Sequence, residues 1–95
     1  MDLGTAIKYL RKQRKLSQKE LAELTDISIN AICQIELNAT FPQKKNISKI
    51  CDALNVPVSY LLFLSITEED VPLEKRLAFD SLKGAVTSVL LSSET

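Results

Sequence analysis

Histidine and tryptophan are absent from this sequence, and cysteine, glycine and proline are scarce. Without histidine, Cys33 and Cys51 cannot complete an ordinary zinc site, and two thiols are too few for a disulfide framework. The longest strongly apolar stretch, residues 56–66, has 11 residues, whereas a membrane-spanning helix needs about 20. Met1 precedes an acidic residue rather than a basic tip and an apolar segment, so we expect no signal peptide. These absences predict a cytoplasmic protein with reduced thiols and with no metal, cofactor or membrane partner.

The sequence also lacks the groups that enzymes use. It has no glycine-rich phosphate loop and no nucleophile and base at a recognisable spacing. The adjacent carboxylates Glu68 and Glu69 are better explained by the start of a helix, where negative charge is favourable. With 95 residues the chain has room for one domain and none for a separate catalytic unit. We therefore predict that the protein is not an enzyme.

The charges are unevenly distributed, although their total is zero. Residues 1–50 hold nine Lys/Arg and five Asp/Glu, a net of +4, and residues 51–95 hold three and seven, a net of −4. Between Leu3 and Lys19 there are six cations and no anion. A basic first half favours a nucleic-acid partner, and we expect the acidic second half to stay away from DNA.

Helical spacing of apolar residues recurs along the chain, and no segment alternates in the manner of a strand. Leu3, Ala6, Ile7 and Leu10 show the i, i+3, i+4, i+7 stripe of one buried helix face. The sequence therefore predicts an all-α protein. The predicted helices run from Leu3 to about Arg14 or Lys15, over a short stretch after Ser17, from Ser28 to near Asn38, and over about residues 44–54, 58–63 and 72–91.

Two short helices between residues 17 and 38 are joined by a tight turn. Ser17 and Glu20 form a capping box, in which each side chain reaches the other residue's backbone amide. Asp26 tolerates the left-handed conformation that the turn needs, and Ser28 caps the next helix. The small Ala22 faces Ile32 and lets the two helices pack closely. This is a helix-turn-helix, whose second helix enters the major groove of DNA.

The sequence resembles the Cro/phage-repressor (XRE) family of helix-turn-helix domains in LSQKELA at 16–22, Asp26-Ile27-Ser28, ICQIE at 32–36, Pro42 and Ala53-Leu54-Asn55-Val56. The resemblance covers about residues 3–64 and implies a five-helix, lambda-repressor-like DNA-binding domain, which we place at 1–66. Asp26 and Asn38 stand where the family usually has glycine. Both residue types can adopt positive φ, so we expect the fold to survive at some cost in stability.

The resemblance also implies roles for individual residues. The expected base readers at the start of the recognition helix are Ser28, Ile29, Asn30 and Gln34. The expected phosphate contacts are Ser17, Gln18, Asn38, Thr40, Lys44 and Lys45. Glu36 is implied to bond back within the domain. The chemistry agrees, because Asn and Gln pair bidentately with adenine, Ser bonds to several bases and Ile packs on a thymine methyl.

Two further features of the first half have a functional and a structural interpretation. Arg11, with Lys12 and Lys15, can attract phosphates, and we add Arg11 to the phosphate contacts; a solvated helix face is the alternative. Cys33 lies beside the reading positions, where oxidation would add bulk. A lone cysteine is more often a small apolar residue, and Cys51 lies on an inward stripe.

The segment 67–95 carries more apolar surface than a five-helix domain needs. We expect its helix to pair two copies of the chain, since a single small module covers only a few base pairs. The expected dimerisation residues are Leu73, Leu77, Leu82, Val86, Val89 and Leu90. Two alternatives stay open: the helix folds back as extra core, or it docks another protein, as in an antitoxin or adaptor.

Together these features predict a sequence-specific regulator of transcription. We expect it to bind double-stranded DNA as a homodimer, at a short palindromic site, and without chemistry. Phosphate contacts would position the two modules, and the recognition helices would select the sequence.

Overall fold

A computed structural model describes residues 2–92, with side chains as far as residue 89. These residues contain no strand, and they confirm the predicted all-α fold. The helices are α1 (Leu3–Gln13), α2 (Gln18–Thr25), α3 (Ile29–Glu36), α4 (Lys44–Leu54), α5 (Val58–Ser65) and α6 (Arg76–Ser92). Two short 3₁₀ turns, Glu68–Asp70 and Leu73–Lys75, connect α5 to α6.

Left-handed residues end several of the helices. Asp26 and Asn38 adopt φ of 57° and 60°, as the sequence predicts, and Asn55 follows α4 in the same conformation at 57°. Lys15 also has φ of 57°, which the sequence does not indicate, because lysine has no local side-chain bond that favours this region. The backbone turn at Lys15 is held by the Leu16 amide, which donates to the Arg11 carbonyl at 3.1 Å.

The first five helices enclose one apolar core. Its largest fully buried side chains are Ile7, Leu10, Leu21, Ile32, Ile50, Leu54 and Leu61. Ala22 and Ile32 both belong to this core, in agreement with the predicted packing of α2 on α3. Within residues 2–92 no single helix is long and apolar enough to cross a membrane; α4 and α5 together reach that length and composition, but the chain bends by 101° between them.

The last helix begins later than the sequence predicts. The Thr67 amide donates to the Asp70 carboxylate at 2.8 Å, so this cap closes a three-residue turn rather than opening a long helix. A second 3₁₀ turn follows Pro72, and α6 starts only at Arg76. The Arg76 guanidinium then donates to the Glu68 carbonyl at 2.9 Å and fixes the connection.

One side of α6 rests on the five-helix body. The Phe79 ring lies 5.9 Å from that of Phe63, the Lys83 ammonium donates to the Ile66 carbonyl at 3.1 Å, and Val86 packs against the core. The predicted dimerisation residues Leu73, Leu77, Leu82 and Val89 are exposed. Val86 is half-buried, because part of its side chain packs against the core, and its role in dimerisation stays a prediction. Leu90 lies outside the described side chains.

Gly4 of α1 lies close to the end of α3, whereas Gly84 of α6 has open space around it. Replacing each glycine with alanine should therefore change the free energy of unfolding in opposite directions. A Cβ on Gly4 would collide with the backbone carbonyl of Ile35 and lie 2.6 Å from Asn38 Oδ1, whereas a Cβ on Gly84 would meet nothing within 4 Å. We expect Gly4→Ala to lower the free energy of unfolding by about 1–3 kcal/mol. Gly84→Ala should raise it by about 0.5–1 kcal/mol. Urea unfolding followed by circular dichroism measures both, and equal effects would contradict the close approach.

Candidate nucleic-acid interface

The helix-turn-helix is built as the sequence predicts. The Glu20 amide donates to Ser17 Oγ at 3.0 Å, and the Ser17 amide donates to the Glu20 carboxylate at 2.9 Å, which holds the pKa of that carboxyl below its usual value. Across the turn the Ile27 amide donates to the Ala22 carbonyl at 3.3 Å. The Ala31 amide donates to Ser28 Oγ at 3.1 Å and caps α3. These bonds fix the direction in which α3 leaves the turn.

The N-terminal turn of α3 presents its predicted base readers to solvent. Ser28 and Asn30 are exposed, Ile29 is 50% exposed, and Gln34 one turn later is half-buried. The Ser28 hydroxyl keeps a proton to donate, because its bond to Ala31 uses the oxygen as acceptor. The first turn of α3 therefore offers hydroxyl, amide and methyl groups to a groove.

Two shallow depressions flank α3 and bring cations beside it. One, between α2 and α3, is lined by Lys19 together with Ser28 and Ile29. The other, between α3 and α4, is lined by Thr40, Lys45 and Lys49, among others. Lys44 is exposed in the first turn of α4. Lys19 and Lys49 are not among the predicted contacts. The position of Lys49 one helical turn after Lys45 is the signal in the sequence that points to it.

Arg11 is not placed where a phosphate contact needs it. The residue is 8% exposed, and its Nε donates to Glu36 Oε2 at 2.7 Å while Nη2 donates to Oε1 at 3.0 Å. A third nitrogen, Nη1, donates to the Leu16 carbonyl at 2.8 Å. Hydrogen bonding to Glu36 raises the pKa of Arg11. This corrects the interpretation of Arg11 as a surface cation and confirms that Glu36 bonds back within the domain.

Gln18 belongs to the same buried network. Its Nε2 donates to Glu36 Oε1 at 3.1 Å, so Glu36 links α1, α2 and α3. The amide nitrogen of Gln18 has two protons, and one remains for an oxygen outside the domain. Gln18 therefore stays among the predicted phosphate contacts, with its side chain oriented by Glu36.

Asn38 has a structural partner instead of a free side chain. Its Oδ1 accepts from the Gly4 amide at 2.9 Å and its Nδ2 donates to the Asp2 carboxylate at 2.7 Å. The bond that Asp2 accepts from Asn38 and the one that it accepts from the Thr5 amide hold the pKa of Asp2 below its usual value. The side chain of Asn38 thus ties the end of α3 to the start of α1. The residue is exposed and its Nδ2 keeps a second proton, as in Gln18, so Asn38 stays a predicted phosphate contact.

The thiols show no arrangement for chemistry. Cys33 is half-buried on α3, and Cys51 is buried in the core, where desolvation raises its pKa to about 11. Within the described part of the chain, no three His, Cys, Asp or Glu residues are grouped to hold a metal ion.

The described part of the tail leaves the predicted base readers uncovered. The packing of α6 on the body involves Phe63, Ile66 and the surface next to α1, and none of the predicted base readers takes part. The exposure of Ser28, Ile29 and Asn30 is therefore kept in the presence of α6.

Comparison with known proteins gives one family and two curated relatives. Residues 7–61 match the family model described as helix-turn-helix, which covers more than half of the chain. The HTH-type transcriptional regulator SutR of Escherichia coli (strain K12) is 40% identical over 70 residues, which are 74% of this chain and 38% of that protein. The immunity repressor protein of Bacillus phage phi105 is 31% identical over 81 residues, 85% of this chain and 54% of that protein. The chain thus spans between 38% and 54% of the length of these relatives. No solved structure matches it.

Proposed function

Because the chain belongs to the helix-turn-helix family, we propose that it is a sequence-specific regulator of transcription. Its proposed ligand is double-stranded DNA, so we expect it in the same cellular compartment as the DNA. The observation that carries this proposal is the exposed, uncharged first turn of α3, with lysines in the depressions on both sides of it. Cations position a protein on the phosphates, and amide and hydroxyl groups distinguish bases. The two relatives bear the names of a transcriptional regulator and an immunity repressor.

We assign base readout to Ser28, Ile29, Asn30 and Gln34. Phosphate contacts are assigned to Ser17, Gln18, Asn38, Thr40, Lys44 and Lys45, without Arg11, whose side chain is buried in its ion pair with Glu36. The N-termini of α2, α3 and α4 carry most of these residues, and helix N-termini favour the negative charge of phosphate.

We further propose that two copies pair through the exposed apolar side of α6. Leu82 and Val89 are 56% and 65% exposed and lie seven residues apart, hence on the same side of the helix. Apolar side chains grouped in this way mark an interaction surface. Pairing two modules lets each recognition helix read one half-site of a palindrome.

The assignment of readers and phosphate contacts predicts two kinds of loss. Bound duplexes selected from a random library at moderate salt should share a two-fold symmetric sequence. On that sequence Gln34→Ala should weaken binding by about 1–3 kcal/mol and relax the preference at one position, while Lys44→Ala should weaken binding to all sequences alike. Fluorescence anisotropy with the selected duplex and with single-base variants measures both.

The matched control is Lys75→Ala, which removes an exposed lysine from the segment before α6. It should leave the affinity and its salt dependence unchanged, whereas Lys44→Ala should reduce the slope of log K against log salt by about 0.9. If Gln34→Ala leaves the sequence preference intact, Gln34 is not a reader. If no duplex is enriched, the DNA-binding proposal is wrong and the docking of another protein becomes the better explanation.

A further inference from the structure

A cavity of about 460 Å³ lies between α1, the end of α5 and α6. This volume falls in the range of about 300–1,000 Å³ that is usual for small-molecule sites. Its apolar wall is formed by Tyr9, Leu64, Ile66 and Phe79, with Ala6. None of the residues assigned to DNA contact lines it, so the helix-turn-helix does not explain it.

The charged residues around this cavity are predominantly acidic. The carboxylates of Asp2, Glu68 and Asp80 line it, and the ammonium of Lys83 is the one cationic group among its lining residues. Three carboxylates and one ammonium give the lining a formal charge of −2. The Lys83 ammonium is already engaged, since it donates to the Ile66 carbonyl at 3.1 Å. This hydrogen bond leaves the charge of Lys83 in place, so it is the net charge of −2 that favours a ligand of positive charge.

The aromatic rings supply a second attraction for a cation. Tyr9 and Phe79 both line the cavity, and a ring face attracts positive charge through its quadrupole. Phe79 already shows this behaviour, because the Lys83 ammonium lies 5.6 Å from its ring centre. The Phe79 ring is held in place by Phe63, whose ring centre is 5.9 Å away. An apolar wall, two rings and an acidic excess thus occur together at one place.

We propose that this cavity binds a lipophilic organic cation, a molecule with an apolar body and a quaternary or delocalised positive charge. Its apolar body fits the wall formed by Leu64 and Ile66, and its charge lies among the rings and carboxylates. The ligand contacts α1 and α6 at once, because residues of both helices line the cavity. Binding therefore stabilises the arrangement in which α6 is docked on the body.

The test compares two probes of the same shape and opposite charge, tetraphenylphosphonium and tetraphenylborate. Isothermal titration calorimetry of the full chain should give saturable, one-to-one binding of tetraphenylphosphonium and much weaker binding of tetraphenylborate. Tetraphenylphosphonium should also raise the Tm in a concentration-dependent way. Tyrosine fluorescence gives an independent signal, because Tyr9 lines the cavity and tryptophan is absent.

Three variants locate the site. Phe79→Leu keeps apolar volume but removes a ring, and it should reduce the affinity for tetraphenylphosphonium roughly 2- to 30-fold. Asp80→Asn should weaken the phosphonium and strengthen the borate. Glu74→Gln is the control, since it removes an exposed carboxylate nearby that does not line the cavity. Circular dichroism and the Tm without ligand verify that each variant is folded.

Several results would overturn the proposal. No saturable phosphonium binding to the full chain would show that the cavity does not take a lipophilic cation. Equal binding of the two probes would show that charge plays no part. An effect of Glu74→Gln as large as that of Asp80→Asn would place the ligand elsewhere. These readouts need no DNA, so failure here is distinct from failure of the DNA-binding proposal.

Discussion

Replacing Glu36 with glutamine should lower the free energy of unfolding by about 3–5 kcal/mol, because the change leaves the Arg11 guanidinium buried without a counter-charge. The side chains of Arg11 and Glu36 are only 9% and 2% exposed, and two of the guanidinium nitrogens bond to the carboxylate. Small domains have about 5–15 kcal/mol in total, so the variant should lose much of its stability. Urea unfolding followed by circular dichroism measures the loss.

Two further variants distinguish the stability lost with the ion pair from the stability lost through any replacement of glutamate by glutamine. Glu23→Gln removes an exposed carboxylate from α2 and should change the stability by no more than about 0.5 kcal/mol. The double variant Arg11→Met/Glu36→Leu should recover much of the loss, since an apolar pair of similar size avoids the cost of desolvating two charges. A loss of less than about 1 kcal/mol in Glu36→Gln would contradict the structural role of the pair.

The network around Glu36 shows where local sequence patterns stop being informative. The spacing of Arg11, Lys12 and Lys15 correctly indicates neighbouring positions on α1, but it does not show that Glu36, 25 residues later, accepts from only one of the three. Caps and turns depend on contacts within about five residues, and the Ser17 box and the left-handed Asp26 and Asn38 are confirmed. The left-handed Lys15 and the short turn after Thr67 are not predicted by the sequence. Partners across helices depend on packing angles that the sequence pattern does not contain.

The same limit explains the differences at α6. The apolar positions of this helix predict that it has a buried side, but the contacts with Phe63 and Ile66 are made by Phe79 and Lys83, which the pattern does not single out. A lysine is expected on the solvent side, yet its aliphatic stem can lie along apolar surface while its ammonium reaches a carbonyl. Val86 packs inward for the same geometric reason, since it follows Phe79 by seven residues.

Introducing charge at Leu82 and Val89 together should convert the proposed homodimer into a monomer. In Leu82→Glu/Val89→Glu, the two carboxylates on α6 of one copy would lie against the same carboxylates of the other copy. Burying these like charges without partners is strongly unfavourable. The affinity for a palindromic duplex should fall by about 10²–10⁴, because the second module no longer binds as part of the same complex. Sedimentation equilibrium and anisotropy measure the two effects.

The stability of the monomer and a distant leucine provide the controls. Both substituted side chains are more than half exposed, so α6 should keep its helicity. The Tm should fall only by the amount that dimerisation contributes to it. Leu24→Glu changes a leucine on α2 that is 61% exposed and should leave the assembly unchanged. Leu77 lies five residues before Leu82 and thus about 140° around the helix, so Leu77→Glu should have the smaller effect. If the double variant still sediments as a dimer, the two copies pair through another surface. That surface would then set the spacing of the recognition helices.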